Sequence, residues 1–257
     1  MFPSTTRSSS RPCKCCNRTS SLYDLCDFNK SCEEARDKFL PLSGIPIYYY
    51  KCSHCGFIFT SDFDAASEEE FRQYVYNDDY IKVDPDYKIV RPQNNAKMVG
   101  EAFARHLSDL SILDYGSGNG TLAKLLSQAG AKLADSYDPF HTSNNTRPHE
   151  KYNLITAFEV VEHVPDPIAT FGDIASLLDE KDSALLFSTL VQPDSIDSLK
   201  TRWWYIGPRN GHISIHSFKS LSLCLAAVGL RLTSHSQGIH FAYREMPSFA
   251  KHIFPSS

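Results

Sequence analysis

The chain has 257 residues, 42% hydrophobic and 22% charged, with 26 basic against 30 acidic side chains for a net charge of −4. This suits one large folded domain, or one domain with a small appendage, and excludes disorder as the main state. There is no basic excess of the kind that marks a nucleic-acid surface. There is also no apolar run near the roughly 20 residues of a membrane span.

The first stretch, residues 1–12, is rich in Ser, Thr and Arg and has no apolar centre. It reads as a disordered tail and not as a secretory signal, so a cytoplasmic protein is expected. Residues 13–60 form a cysteine module: Cys13, Cys15, Cys16, Cys26, Cys32, Cys52 and Cys55 are seven of the eight cysteines, with Cys224 far downstream. An odd count without a secretion signal disfavours a disulfide framework. Cys13 with Cys16, and Cys52 with Cys55, are two C-x-x-C pairs separated by 35 residues. Such a pair turns two thiolates to one side of a tight knuckle, and two knuckles supply four soft ligands for a structural Zn²⁺. Gly56, just after the second pair, suits the positive φ that a knuckle often needs. Cys15 could replace Cys16, and Cys26 and Cys32 are further substitute ligands. A site closed by four thiolates has no open position, so it would fold the module and do no chemistry.

Residues 61–107 read as a helical linker or lid, acidic and aromatic. Ser67 with Glu70 has the form of a capping box, and a helix is expected over Asn94–Leu107. Tyr74, Tyr76, Tyr80 and Tyr87 are candidates for a cover over a bound ligand. From residue 108 to 245 short β-type runs alternate with helical ones, the pattern of a parallel sheet with crossover helices. Strands are expected at Ile112–Tyr115, Leu133–Tyr137, Leu154–Phe158, Ala184–Leu190, Leu230–Ser236 and Ile239–Tyr243. The expected helices are Thr121–Ala129, Pro167–Leu178 and Ser217–Val228. Residues 246–257 read as a C-terminal tail.

In this core, Leu113-Asp-Tyr-Gly-Ser-Gly-Asn-Gly120 runs a hydrophobic strand into a G-x-G-x-G loop ahead of a helix. Glycines let the backbone approach a ligand without a Cβ in the way. Asp138 stands 20 residues beyond Gly118, at the end of the second strand, where a carboxylate can accept two ribose hydroxyls. There is no Walker lysine. The motif resembles the first motif of class I S-adenosylmethionine-dependent methyltransferases, whose fold is an α/β Rossmann-like, mostly parallel sheet with an antiparallel last strand. The segment Tyr152-Asn-Leu-Ile-Thr-Ala-Phe-Glu-Val-Val-Glu-His-Val-Pro-Asp-Pro167 resembles the fourth-strand motif of the branch containing ubiquinone-biosynthesis methyltransferases. The resemblance covers roughly residues 95–245. It implies cofactor contacts from Asp114, Tyr115, Gly116, Ser117, Gly118, Asp138, Pro139, Phe158 and Glu159. The cysteine module is similar, more loosely, to that of sugar C-methyltransferases.

Two features depart from the family pattern. Asn153 stands where Asp is usual. Only the 14 residues His141–Leu154 join the second strand to the next, so the usual third strand is expected to be shortened or lost. Glu159, Glu162 and His163 follow the strand Leu154–Phe158 at the end of the sheet where open α/β folds bind ligands. They are candidate catalytic residues, with His212 as a later partner. Glu159, Glu162 and His163 also have the donor chemistry for a second, divalent metal. The segment Trp203–His216, with Tyr205 and Arg209, reads either as a substrate wall or as an aromatic plug. The leading expectation is methyl transfer to a small molecule, most simply a sugar or glycan intermediate. The alternatives are a quinone-like or other hydroxylated metabolite, or a binding protein that keeps the fold without transfer. The acidic balance disfavours a nucleic-acid substrate, and nothing in the sequence bears on the oligomeric state.

Overall fold

The computed structural model describes residues 8–141 and 143–253. The chain opens with an antiparallel meander of β1 (Ser10–Pro12), β2 (Thr19–Asp27), β3 (Pro46–Cys52) and β4 (Ile58–Thr60). The run Tyr48-Tyr49-Tyr50 lies in β3, where aromatic side chains fit a pleated, half-buried surface, and Tyr49 and Tyr50 are buried. The expected tail over residues 1–12 is corrected in its last three residues, since Ser10–Pro12 pair with Thr19–Ser21. Residues 1–7 of that tail lie outside the described residues.

Two helices follow, α1 (Glu68–Tyr74) and α2 (Val90–Ala102). The capping box forms at α1: Glu70 N–H donates to Ser67 Oγ at 3.2 Å, and Ser67 N–H donates to Glu70 Oε2 at 2.7 Å. Helix α2 begins before the expected Asn94, because Pro92 sits in its first turn, where a missing N–H breaks no helical bond. It ends at Ala102, and Leu107–Asp109 is a separate 3-10 turn.

The second sheet is built from β5 (Ser111–Tyr115), α3 (Thr121–Gln128), β6 (Leu133–Tyr137), β7 (Leu154–Phe158), α4 (Pro167–Leu177) and β8 (Ala184–Ser188). After α5 (Ile196–Leu199), the two-residue strand β9 (Ser214–Ile215) returns to the first sheet and pairs with β4. Then α6 (Phe218–Ala227), β10 (Arg231–Ser234) and β11 (Ile239–Tyr243) complete the second. Its order is β10-β11-β8-β7-β5-β6, with β5 to β8 parallel and β11 antiparallel to both neighbours. Strands β7 and β8 are buried along their whole length, as expected of central parallel strands covered on both faces. Strand β6 is the sheet edge. Among the described residues of 138–153 there is no further helix or strand, and β5 pairs directly with both β6 and β7.

Three cores hold the layers together. One packs the knuckle cysteines, Tyr50, Phe57 and Phe59 with Leu113, Ile155, Phe171, Phe187 and Leu221, which joins the first sheet to one face of the second. Another covers the opposite face with Val99, Phe103, Leu107, Leu122, Leu126 and Phe241. The third joins β3 and β4 to the lid and the aromatic segment through Tyr49, Ile58, Phe71, Val75, Tyr80, Trp203 and Tyr205. Two expected boundaries shift as a result. The cysteine module of residues 13–60 is not closed in sequence, because β9 completes its sheet. The expected C-terminal tail packs Phe249 against Phe103, with ring centroids 5.6 Å apart. Residues 254–257 lie outside the described residues.

Candidate functional site

The glycine loop leaves β5 and folds back at once. Gly116 N–H and Ser117 N–H both donate to Tyr137 O, at 2.8 and 3.1 Å. Gly116 has φ +74°, and a Cβ there would stand 2.5 Å from Val160 Cγ2, so only glycine fits. Gly118 has φ +53°, and a Cβ there would meet nothing within 4 Å, while its C=O accepts from Asn144 Nδ2 at 3.0 Å. The Asp138 carboxylate closes the loop, accepting from Gly118 N–H and Phe140 N–H at 2.8 Å each. Ser117 Oγ is buried without a hydrogen-bond partner, a polar group left for something to satisfy. Tyr115 instead turns its hydroxyl to Asp173 Oδ2 at 2.8 Å.

Asp114 is buried beneath the loop and accepts from Thr156 Oγ1 at 2.9 Å. Burial raises its carboxyl to about 7, against the hydrogen bond from Thr156, which lowers it. An unfolded chain releases that proton near pH 3.9, so between there and about pH 7 the native state holds a proton that the unfolded state has lost. Stability from this group is therefore present at low pH and lost as pH rises through the folded value. Thermal melts from pH 4 to 7 should show a shallower decline for Asp114→Asn than for the parent chain. Identical slopes would mean that Asp114 ionises freely.

The loop opens on a cavity of about 930 Å³, near the upper end of small-molecule sites. Pro139, Phe140, Phe158 and Val160 line it beside the glycines. The lid contributes Tyr76, Tyr80, Tyr87 and the Asp84–Arg91 pair. Tyr74, also a candidate cover, is 56% exposed and takes no part. Tyr76 stacks into an aromatic wall with ring centroids 5.3 Å from both Phe140 and Tyr80. Arg209 ties the lid down, donating to Val75 O at 2.7 Å and Asn77 Oδ1 at 2.8 Å.

Across the cavity stands the turn after β7. Glu159 has φ +55°, a conformation costly for a side chain with a Cβ and frequent at functional turns. Ser188 Oγ accepts from its N–H and donates to its Oε1, each at 2.9 Å. Glu162 is fully buried. Its Oε1 accepts from Tyr205 Oη, and its Oε2 has no partner. Burial, then the nearby charge of Glu159, pushes the Glu162 carboxyl well above the ordinary carboxylate range. His163 Nδ1 is buried and unpartnered, and burial, then His212, holds that imidazole well below its usual value. His212 Nδ1 lies 2.7 Å from Tyr205 O, a carbonyl that only accepts, so Nδ1 carries the proton and Nε2 keeps the lone pair. Burial lowers His212 to about 4. One ligand-type atom from each of Glu162, His163 and His212 lies within 4.8 Å of the others. Glu159, expected in a metal set with Glu162 and His163, stays with Ser188 outside that group.

The sulfurs of Cys13, Cys16, Cys52 and Cys55 also lie within 4.8 Å of one another. Three pairs stand 3.5, 3.5 and 3.7 Å apart. A tetrahedral ion with metal–sulfur bonds of about 2.3 Å has edges of about 3.8 Å, so the four thiols fit zinc. Cys15, Cys26 and Cys32 fall outside the group, and burial pushes the Cys26 thiol up to about 12.

Some of this site had little sequence signal. Tyr205 is the hydroxyl that holds Glu162, and Cys32 Sγ lies 3.6 Å from His212 Nδ1. Their sequence separations from these partners carry no periodicity to read. The aromatic richness of residues 203–216 and of the lid was the available signal.

A model of the methyltransferase domain family matches residues 69–235. The ubiquinone biosynthesis O-methyltransferase of Actinobacillus pleuropneumoniae serotype 5b (strain L20) is 31% identical over 114 residues, covering 34% of this chain and 48% of that protein. That of serotype 7 (strain AP76) is 29% identical over the same length. The chain thus spans about half the length of the curated relatives it matches. Among solved structures, magnesium protoporphyrin IX methyltransferase from Synechocystis PCC 6803 with bound SAH is 19% identical, covering 71% of this chain and 96% of that one, with a TM-score of 0.43. An O-methyltransferase family protein from Burkholderia thailandensis is 12% identical, covering 72% and 64%, with a TM-score of 0.49.

Proposed function

The chain belongs to the methyltransferase domain family, and from that premise we propose that it transfers a methyl group from S-adenosylmethionine to a hydroxyl of a small acceptor. The observation that carries this reading is the facing pair of walls in one cavity. On one side stand the glycine loop, with the unpartnered Ser117 Oγ, and the Asp138 carboxylate. On the other, Glu159, His163 and His212 line the cavity, with Glu162 buried behind the two histidines.

S-adenosylmethionine would supply an electrophilic methyl on a sulfonium: the acceptor oxygen attacks that carbon in line as its C–S bond breaks, and the thioether S-adenosylhomocysteine leaves. Asp138 accepts the ribose hydroxyls while it keeps the loop closed. Ser117 Oγ supplies a polar contact to the cofactor. Pro139, Phe140 and Phe158 give apolar surface for adenine. His163 Nδ1 takes the acceptor hydroxyl's proton as the new C–O bond forms, and a neutral imidazole is ready to do so. His212 lines the same face, with the Tyr205-held Glu162 buried behind it. Positioning donor and acceptor at about 3–3.5 Å supplies much of the remaining rate.

A second reading has its own support. The three converging atoms of Glu162, His163 and His212 suit a divalent cation, which would orient and acidify the acceptor hydroxyl. The four thiols Cys13, Cys16, Cys52 and Cys55 we assign to structural zinc. For the acceptor, the aromatic wall of Tyr76, Tyr80 and Phe140 and the ubiquinone biosynthesis named for the curated relatives favour a hydroxylated planar ring. The sugar or glycan reading rests on the cysteine module alone. Assay of catechols beside sugars, with and without chelator and added Mg²⁺, separates these readings.

Calorimetric titration with S-adenosylmethionine tests the premise directly. Asp138→Ala should weaken binding by about 10- to 100-fold, the cost of about 1.5–3 kcal/mol for lost hydrogen bonds to a charged group. No binding to the parent chain at millimolar cofactor would overturn the cofactor reading.

A further inference from the structure

We propose that the four-cysteine site sets the position of His212 through a hydrogen-bonded relay carried by Gln192 and Ser217. This rests on the reading of Cys13, Cys16, Cys52 and Cys55 as a metal site and of His212 as part of the catalytic wall.

Residues 211–217 lie between two structures. On the catalytic side, Ile213 N–H and Ser214 N–H both donate to Glu162 O at 2.9 Å, and Ser214 Oγ donates to Val164 O at 2.6 Å. On the other side, Thr60 N–H donates to Ile213 O at 3.1 Å, and Tyr49 Oη donates to His212 O at 2.8 Å. Strand β9 pairs with β4 at only two positions, Ile215 with Ile58 and Ser214 with Phe59. So short a pairing is marginal unless its partner hairpin is itself rigid.

That hairpin is the knuckle. Strands β3 and β4 are joined through Cys52 and Cys55, with Gly56 N–H donating to Cys52 O at 2.9 Å. The four thiols connect its tip to the Cys13–Cys16 turn. Gln192 then ties the knuckle to the active-site segment with both amide hydrogens. Its Nε2 donates to Gly56 O and to Ile215 O, each at 2.8 Å. Its own N–H donates to His216 O at 2.9 Å. Ser217 adds a second tie: its Oγ donates to Cys55 O at 2.6 Å and accepts from Ser220 N–H, capping α6. The approach is close, since a Cβ on Gly56 would stand 3.3 Å from Ser217 Oγ.

The relay therefore runs from the thiols to the carbonyls of Cys55 and Gly56. It continues through Gln192 and Ser217 into the segment that holds His212 against Glu162. The glycine loop and Asp138 lie at the ends of β5 and β6 and are not in this path. Gln192 and Ser217 are thus positioning residues for His212 and leave cofactor binding alone.

The test uses Gln192→Leu and Ser217→Ala in the full chain. Four quantities are read: bound zinc, affinity for S-adenosylmethionine, amide exchange of residues 212–217, and the ¹⁵N signals of the His212 imidazole. Expected for Gln192→Leu are about one zinc per chain, cofactor affinity within about twofold, and exchange of 212–217 faster by at least about tenfold. The His212 signals should shift from a single Nδ1–H tautomer to a mixture. Ejecting zinc from the parent chain should give the same exchange and imidazole changes. Zinc retained with exchange and imidazole signals unchanged in both variants would overturn the relay. A parent chain that binds no zinc would overturn the metal reading on which it rests.

Discussion

His163→Ala is expected to lower kcat by about 10²- to 10⁴-fold, the usual contribution of a positioned base, while affinity for S-adenosylmethionine stays within about threefold. The reason lies in where the ring sits. His163 lines the cavity opposite the glycine loop, and its Nδ1 has no hydrogen-bond partner, so its loss removes the candidate proton acceptor. Because burial depresses the imidazole well below the ordinary value, it stays neutral and competent at pH values where an exposed histidine is charged. The acid limb of the kcat profile should therefore lie below the usual histidine pKa of about 6.5. Steady-state kinetics with a catechol or sugar acceptor identified in the panel, beside calorimetry of the cofactor, checks both parts. A variant with kcat within about fivefold of the parent would remove His163 from the chemistry. A parallel loss of cofactor affinity would show the residue to be structural.

On the structural-zinc assignment, Cys52→Ser is expected to abolish zinc binding and lower Tm by more than about 10 °C. Cys52 is fully buried in the core that joins the first sheet to the second, so the change leaves a hydroxyl among three thiolates with no way to reach water. Apparent binding energies of structural zinc in small modules are about 10–16 kcal/mol at neutral pH. Even a fraction of that is large against a net stability of about 5–15 kcal/mol. At about 2–4 °C per kcal/mol for a chain of this size, losing several kcal/mol gives the stated shift. Cys26→Ser is the control, since that thiol stands outside the four-sulfur group. Calorimetric melts with metal analysis would decide it: equal Tm and equal zinc for Cys52→Ser and the parent would reject the structural-zinc assignment.

Much of the fold was legible because its signals are local. The strands Leu133–Tyr137, Leu154–Phe158 and Ile239–Tyr243 and the start of the helix at Pro167 stand where hydrophobic period, turn residues and caps place them. The short link between β6 and β7 already implied that the usual third strand is shortened or lost. Other elements were not legible. Ser10–Pro12 looks like tail, because pairing with Thr19–Ser21 is a property of the folded sheet and leaves no hydrophobic pattern. Ser214–Ile215 is too short for any periodicity, yet it completes the first sheet. Phe249 sits in a sequence with little pattern, and only docking against Phe103 gives it a place.

The sequence by itself determined the class of machine: an α/β sheet with a glycine loop, an acidic residue after the second strand, a Glu-x-x-Glu-His turn and two cysteine knuckles. These are encoded in short spacings, where the chain's own geometry sets what can meet. Only the tertiary structure decided which members lie together. It grouped Cys13, Cys16, Cys52 and Cys55 and left out Cys15, Cys26 and Cys32. It placed His212, not Glu159, beside Glu162 and His163, and put Tyr205 on Glu162 and Gln192 between the knuckle and residues 215–216. Those choices depend on which buried atoms already have a hydrogen-bond partner, and burial and partnership exist only once distant segments have packed.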